Sequence, residues 1–203
     1  MDGAVTAPLF ARVLGAAAFA RLPPTLQALH SVQGRQRWRG EACVRRGDHW
    51  LVAPCAWLAR LPAAADAVPV TVEFVAEGAG ERWDRRFGDA RMASRLWSRQ
   101  GRLFERLGAV RFRFALEAVD GEIRWRVERA WAFGSVPLPA AWFAQVRCRE
   151  RVDGDRYTFL VDVAMPLLGP LIRYEGWLLP LGNREAEPDV PVSGRIGGGR
   201  GDG

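Results

Sequence analysis

Residues 110–128 read VRFRFALEAVDGEIRWRVE. Phe112, Phe114 and Leu116 alternate with Arg111, Arg113 and Glu117 as the chain runs up to an Asp-Gly pair. Beyond it, Ile123, Trp125 and Val127 alternate with Arg124, Arg126 and Glu128. A period of two on each side is the mark of a half-buried strand. Asp120-Gly121 supplies the positive φ that a tight hairpin turn requires. The stretch therefore predicts a β-hairpin with rings on one face and charges on the other.

The same code recurs outward from this hairpin. Trp38, Ala42 and Val44 alternate with Arg37, Arg39 and Glu41, and Val68, Val70, Val72 and Phe74 share a face. In ERWDRRF, Trp83 and Phe87 oppose Arg82, Asp84 and Arg86. Phe159, Val161 and Val163 oppose Asp162, and LIRYEGWLL at 171–179 supplies a last strand. EGAGE, FGDA, VDGE and VDGD provide the turns between runs. About eight strands joined mostly by hairpins predict one strongly curved antiparallel sheet, closing as a barrel.

Two apolar stretches carry helical rather than strand spacing. PLFARVLGAAAFARL at 8–22 places Phe10, Val13, Leu14 and Ala17 on one face and stops at Pro23-Pro24, with Thr25 as a candidate cap for a further turn. WLVAPCAWLARL at 50–61 predicts a helix that starts near Pro54, since proline is tolerated in a first turn but not inside a helix. SVPLPAAWFAQV at 135–146 interrupts the strands. The resulting expectation is an α+β domain over 1–181 with two N-terminal helical segments. A Gly- and Pro-rich tail at 182–203 is too poor in large apolar groups to join a core.

Composition bounds the function. The chain has 203 residues, 49% hydrophobic and 26% charged, as expected of a globular domain. Its formal charge is +6, and every basic residue is arginine. The absence of lysine beside many Gly and Ala points to genomic base composition rather than to anion binding. Cys43, Cys55 and Cys148 are odd in number and lack metal or redox spacing, which predicts reduced thiols and a cytoplasmic protein. The apolar N-terminal segment has no basic start and is interrupted by Arg12, so no secretory signal is expected. No apolar run approaches the length of a membrane-spanning helix.

The succession LFARVLGAAAFARLPPTLQALH, VPVTVEF, GERWDRRFG, GRLFERLGAVRFRFALEAVDGEIRW and PLLGPLIRYEGWL resembles the bacterial domain-of-unknown-function family numbered 4166, over roughly residues 8–180. Some members of that family are fused behind an NAD(P)-binding module of the saccharopine-dehydrogenase type. The resemblance thus implies an accessory role beside a separate oxidoreductase. This sequence has no glycine-rich turn between a strand and a helix to hold such a cofactor. The resemblance brings no catalytic residue with it.

Residue by residue, catalytic chemistry is not expected. His30 and His49 lack a nucleophile or carboxylate partner in sequence, and His30 is expected to pack where a helix meets the sheet. Cys148 alternates away from Arg147 and Arg149, which leaves its thiolate without support. Glu73 and Asp162 face solvent by alternation. No cofactor and no metal are expected. Binding of nucleic acid or of an anionic surface through the Arg-rich strands is the further alternative; nucleic acid is disfavoured, because in residues 81–106 the rings take one face and most arginines the other.

Arg85 is the exception to the code, since alternation points it inward with Trp83 and Phe87. A charge there requires a buried acid, a bulge, or a ligand anion. Glu175, beside Tyr174 and Gly176, is a candidate partner. The leading expectation is a small apolar or amphipathic ligand held inside the curved sheet by Trp83, Arg85, Phe87, Phe112, Trp125, Tyr174 and Glu175. In its most concrete form an anionic head meets Arg85.

Overall fold

The computed structural model describes residues 7–166 and 168–182. Apart from Gly182, the expected tail at 182–203 lies outside the described residues. Three short helices come first: α1 (Leu9–Leu14), α2 (Ala16–Ala20) and α3 (Pro24–His30). Strand β1 (Arg35–Arg46) and helix α4 (Val52–Leu58) follow. A meander then runs through β2 (Ala65–Glu77), β3 (Gly80–Phe87), β4 (Ala90–Arg99), β5 (Arg102–Leu107), β6 (Val110–Val119) and β7 (Glu122–Ala132). After β8 (Val136–Leu138) and a 3₁₀ turn (Ala140–Phe143), the chain ends in β9 (Arg147–Asp153), β10 (Arg156–Met165) and β11 (Gly169–Pro180).

All pairings are antiparallel. The strand order is β6-β5-β4-β3-β2-β1-β11-β10-β9-β7, and β6 pairs with β7, so ten strands close a barrel while β8 lies outside on β7. The expected barrel is present, but its strand count is ten rather than about eight. The sheet also carries far more of the fold than an α+β reading implies. The missed strands are β4 and β5, with β9 recognised only around Cys148. At the middle of β5 the code is inverted: Glu105 is buried and faces inward between Leu103 and Leu107, while Phe104 faces outward. The difference in count matters, because barrel diameter grows with strand number and eight strands already leave room only for side chains or one small ligand.

Two-residue turns join β2 to β3, β3 to β4, β4 to β5, β5 to β6, β6 to β7 and β9 to β10. In the 110–128 hairpin, Val119 pairs with Glu122 across Asp120 (φ 53°) and Gly121 (φ 76°), as the sequence predicts. At VDGD the register is one residue later: Asp153 pairs with Arg156, and Gly154 (φ 61°) takes the first turn position. Gly176 sits where β11 crosses β1; a Cβ there would strike the Glu41 carbonyl and the backbone of Ala42. Its role is close backbone approach within the barrel wall.

The N-terminal segment is a plug, not one helix. Gly15 at φ 87° separates α1 from α2. Helix α3 begins at Pro24, so Thr25 lies inside it rather than capping it. Leu9, Phe10, Leu26, Leu29 and His30 are buried. Arg12 donates from Nη2 to the Ala79 carbonyl at 2.6 Å, tying the plug to the β2–β3 turn. Helix α4 contains Pro54 near its start, as predicted, and lies at the opposite end of the barrel, where its last turn bonds the β5–β6 turn through Ala109 N–H to Leu58 O at 3.1 Å. Among the described residues no helix is long and apolar enough to cross a membrane.

Candidate binding site in the barrel interior

Inward positions of the wall carry most of the rings. Trp83 is packed edge-on by Phe74 at 4.9 Å and Trp125 by Phe114 at 5.3 Å, between ring centroids. Phe10 of the plug stacks on His30 at 3.6 Å and on Trp83 at 5.9 Å. This layer fills the half of the barrel nearest the plug. Beyond it the packing stops short. A cavity of about 180 Å³ remains, lined by Phe87, Phe112, Trp125, Cys148, Phe159 and Tyr174 among others. Inward residues such as Phe112, Phe159, Val163 and Tyr174 are only half-buried, because part of each faces this void.

Arg85 enters the cavity wall and is satisfied there. Its Nη2 donates to Glu105 Oε1 at 3.1 Å, and its Nη1 donates to Ser94 Oγ at 3.0 Å. Its guanidinium lies 4.7 Å from the Trp83 ring centroid, close enough for a cation–π contact. Burial alone would lower the Arg85 pKa. The Glu105 carboxylate, helped by Tyr174, more than offsets this and holds it above the ordinary arginine value. Of the three options that the sequence leaves open for Arg85, the one realised is a buried acid.

That acid is not Glu175, which lies on the outer face and accepts from Arg173 Nη2 at 2.9 Å. Alternation along β11 explains the correction, since Tyr174 points in and its neighbour must point out. The structure therefore gathers Trp83, Arg85, Phe87, Phe112, Trp125 and Tyr174 around one cavity and leaves Glu175 outside it. Glu105, Ser94 and Tyr157 were missed. The available signal was a polar residue, Ser94 on β4 and Glu105 on β5, at an inward place between apolar ones, but the short β5 concealed the alternation.

A second buried polar cluster lies beneath the plug. His30 Nε2 and Glu150 Oε2 are 2.6 Å apart, so the carboxylate partner absent from the local sequence comes from β9. Burial pushes the Tyr157 hydroxyl well above its usual pKa, and Glu150 beside it adds to the shift. Glu81 is buried and accepts from Trp83 Nε1 at 2.8 Å. Desolvation raises its pKa, against the opposing effect of that hydrogen bond. Cys148 lines the cavity as a thiol whose pKa burial pushes far up, which disfavours its thiolate form. Tyr174 packs edge-on against Phe87 at 5.7 Å, and among the described residues its hydroxyl has no hydrogen-bond partner.

The outer wall differs from expectation in one respect. Trp97 and Phe104 stack on it at 5.6 Å, Arg111 covers Trp131 at 4.5 Å, and Arg156 covers Trp177 at 4.4 Å. Rings and arginines thus share the outer face at several places.

The family model described as "Domain of unknown function (DUF4166)" matches residues 22–178. No curated protein matches the chain. Among solved structures, "Crystal Structure of Rv2717c from M. tuberculosis" is similar at 13% identity, with a TM-score of 0.41 over 79% of this chain and 99% of that one.

Proposed function

The chain belongs to the DUF4166 family, and we propose that this member binds a small, mostly apolar ligand with an uncharged polar end inside its barrel. The observation that carries this reading is the unfilled, ring-lined cavity of about 180 Å³ beside a charge pair that is already complete. Ligand pockets are commonly apolar with a few convergent polar groups. Here those groups are the Arg85–Glu105 pair and the unpartnered Tyr174 hydroxyl.

Size and charge narrow the ligand. An apolar cavity of ~150 Å³ stays dry and accepts benzene, so this one suits a molecule of about one or two rings and is too small for a whole fatty-acid chain. A carboxylate head would have to compete with Glu105 for Arg85, whereas a hydroxyl or carbonyl group can bond Tyr174 and the edge of the pair without displacing it. This moves the expected ligand from an anion towards a neutral molecule.

The test is calorimetric titration with indole, para-cresol and benzoate. Cresol and indole should bind, and benzoate should bind more weakly. Tyr174→Phe should weaken cresol about three- to tenfold, the loss of one hydrogen bond. Equal binding of benzoate and cresol, or no binding of any of the three, would overturn the proposal.

A further inference from the structure

We propose that the end of the barrel carrying α4 docks on an anionic bilayer surface. The strongly exposed large apolar side chains of the described residues cluster at this end and its seam. Trp57 of α4 is 80% exposed, Trp50 of the preceding loop 76%, and Phe133 of the β7–β8 turn 72%, with Val136 and Trp142 alongside. Backbone bonds hold the first and last of these sites together: Phe133 N–H donates to Ala109 O at 2.8 Å, and Ala109 N–H to Leu58 O at 3.1 Å. Exposed aromatics grouped in this way mark an interaction site rather than random surface. Trp in particular suits a membrane–water boundary, with an apolar body and a polar N–H.

Charge names the partner. Trp57 and Phe133 flank a groove that is also lined by Arg46, Arg60, Arg82, Arg91, Arg95 and Arg106, and among the described residues no carboxylate lines it. Glu77 neutralises Arg82 and Arg95 from nearby, and Asp84 pairs with Arg91. Arg46 donates to the carbonyls of Leu61 and Pro62. Arg60 and Arg106 have no ion-pair partner among the described residues. Asp48 and Asp89 lie in rim loops, and Asp66, at the start of β2, faces Arg45 at 3.4 Å. The groove therefore keeps a positive excess beside its aromatic rim. Arginines with neighbouring Trp and Phe are the combination that holds a protein at the interface of an anionic membrane.

The floor of the interior cavity is built from the same end. Ala59 and Leu61, which follow Trp57 on the chain, line it together with Met165 and Leu171. Docking would bring that cavity to the lipid surface from which a sparingly soluble ligand is exchanged. Docking stands on the rim alone; the exchange rests on the interior-binding reading above.

The experiment is flotation of the whole chain with vesicles of phosphatidylcholine alone or mixed with phosphatidylglycerol, in low and high salt. The expected result is flotation with the mixed vesicles that is lost in high salt. Trp57→Ser with Phe133→Ser, and separately Arg60→Gln with Arg106→Gln, should each reduce it about tenfold or more. These are surface changes, so melting temperature and indole binding should stay unchanged. That control separates failure of docking from failure of the interior site. No flotation of the wild-type chain, or undiminished flotation of both variants, would overturn the proposal. So would binding of a single-stranded oligonucleotide through the same residues without vesicle binding.

Discussion

Replacing Glu105 by leucine strands the Arg85 guanidinium inside the barrel. The side chains of the pair are only 14% and 10% exposed, so neither charge can reach water by a small movement. Ser94 Oγ remains as one acceptor at 3.0 Å, but it carries no charge. Removing one partner of a buried ion pair costs about 3–5 kcal/mol, because the other charge stays desolvated. At roughly 2–4 °C per kcal/mol for a chain of this size, the melting temperature should fall by roughly 6–20 °C. Replacing both partners, as Arg85→Met with Glu105→Leu, removes both charges and should return stability to within about 1 kcal/mol of wild type. Urea unfolding of the wild type and the single and double variants is the assay. A loss below about 1 kcal/mol for Glu105→Leu, or a double variant no better than the single one, would refute a tightly coupled interior pair.

Three further outcomes follow from the same geometry. Gly176→Val should destabilise by about 1–3 kcal/mol through collision with the Glu41 carbonyl, read as a shifted urea midpoint with unchanged slope. Glu81 has a raised pKa in the folded state, so above the ordinary carboxylate range folding retains a proton that the unfolded chain has released. Its contribution is complete at low pH and declines as pH rises through the folded value; Glu81→Gln, which mimics the protonated form, should gain on wild type between pH ~4.5 and neutrality in pH-dependent urea unfolding. Gly121→Ala, at φ 76° in the β6–β7 turn, should cost about 1 kcal/mol by thermal unfolding.

Much of the barrel could be read from alternation, because one-sided burial forces a period of two on each strand. The 110–128 hairpin shows this most plainly, since pattern and turn chemistry agree at every position. The reading weakens where the interior becomes polar. β4 and β5 place Ser94 and Glu105 inward and Trp97 and Phe104 outward, which inverts the code at those positions while Met92, Leu96, Leu103 and Leu107 obey it. That inversion has a cause: the inward Arg85 needs both of those polar groups. The site residues on β3, β6, β7 and β11 could be found from sequence because each obeys its strand's alternation. The Glu105 partner could not, since its pairing with Arg85 spans two intervening turns and depends on the register of β4 between them. The His30–Glu150 contact is similar, joining the plug to β9 across 120 positions. The strand count, and with it the unfilled interior, depends on these hidden strands.

Native mass spectrometry of the protein, purified without denaturation and then extracted with solvent, tests the interior-binding account most directly. The account predicts a bound neutral species of one or two rings that leaves on extraction and is lost when Phe112→Trp narrows the cavity. A bare polypeptide mass that does not shift with indole or para-cresol would contradict it.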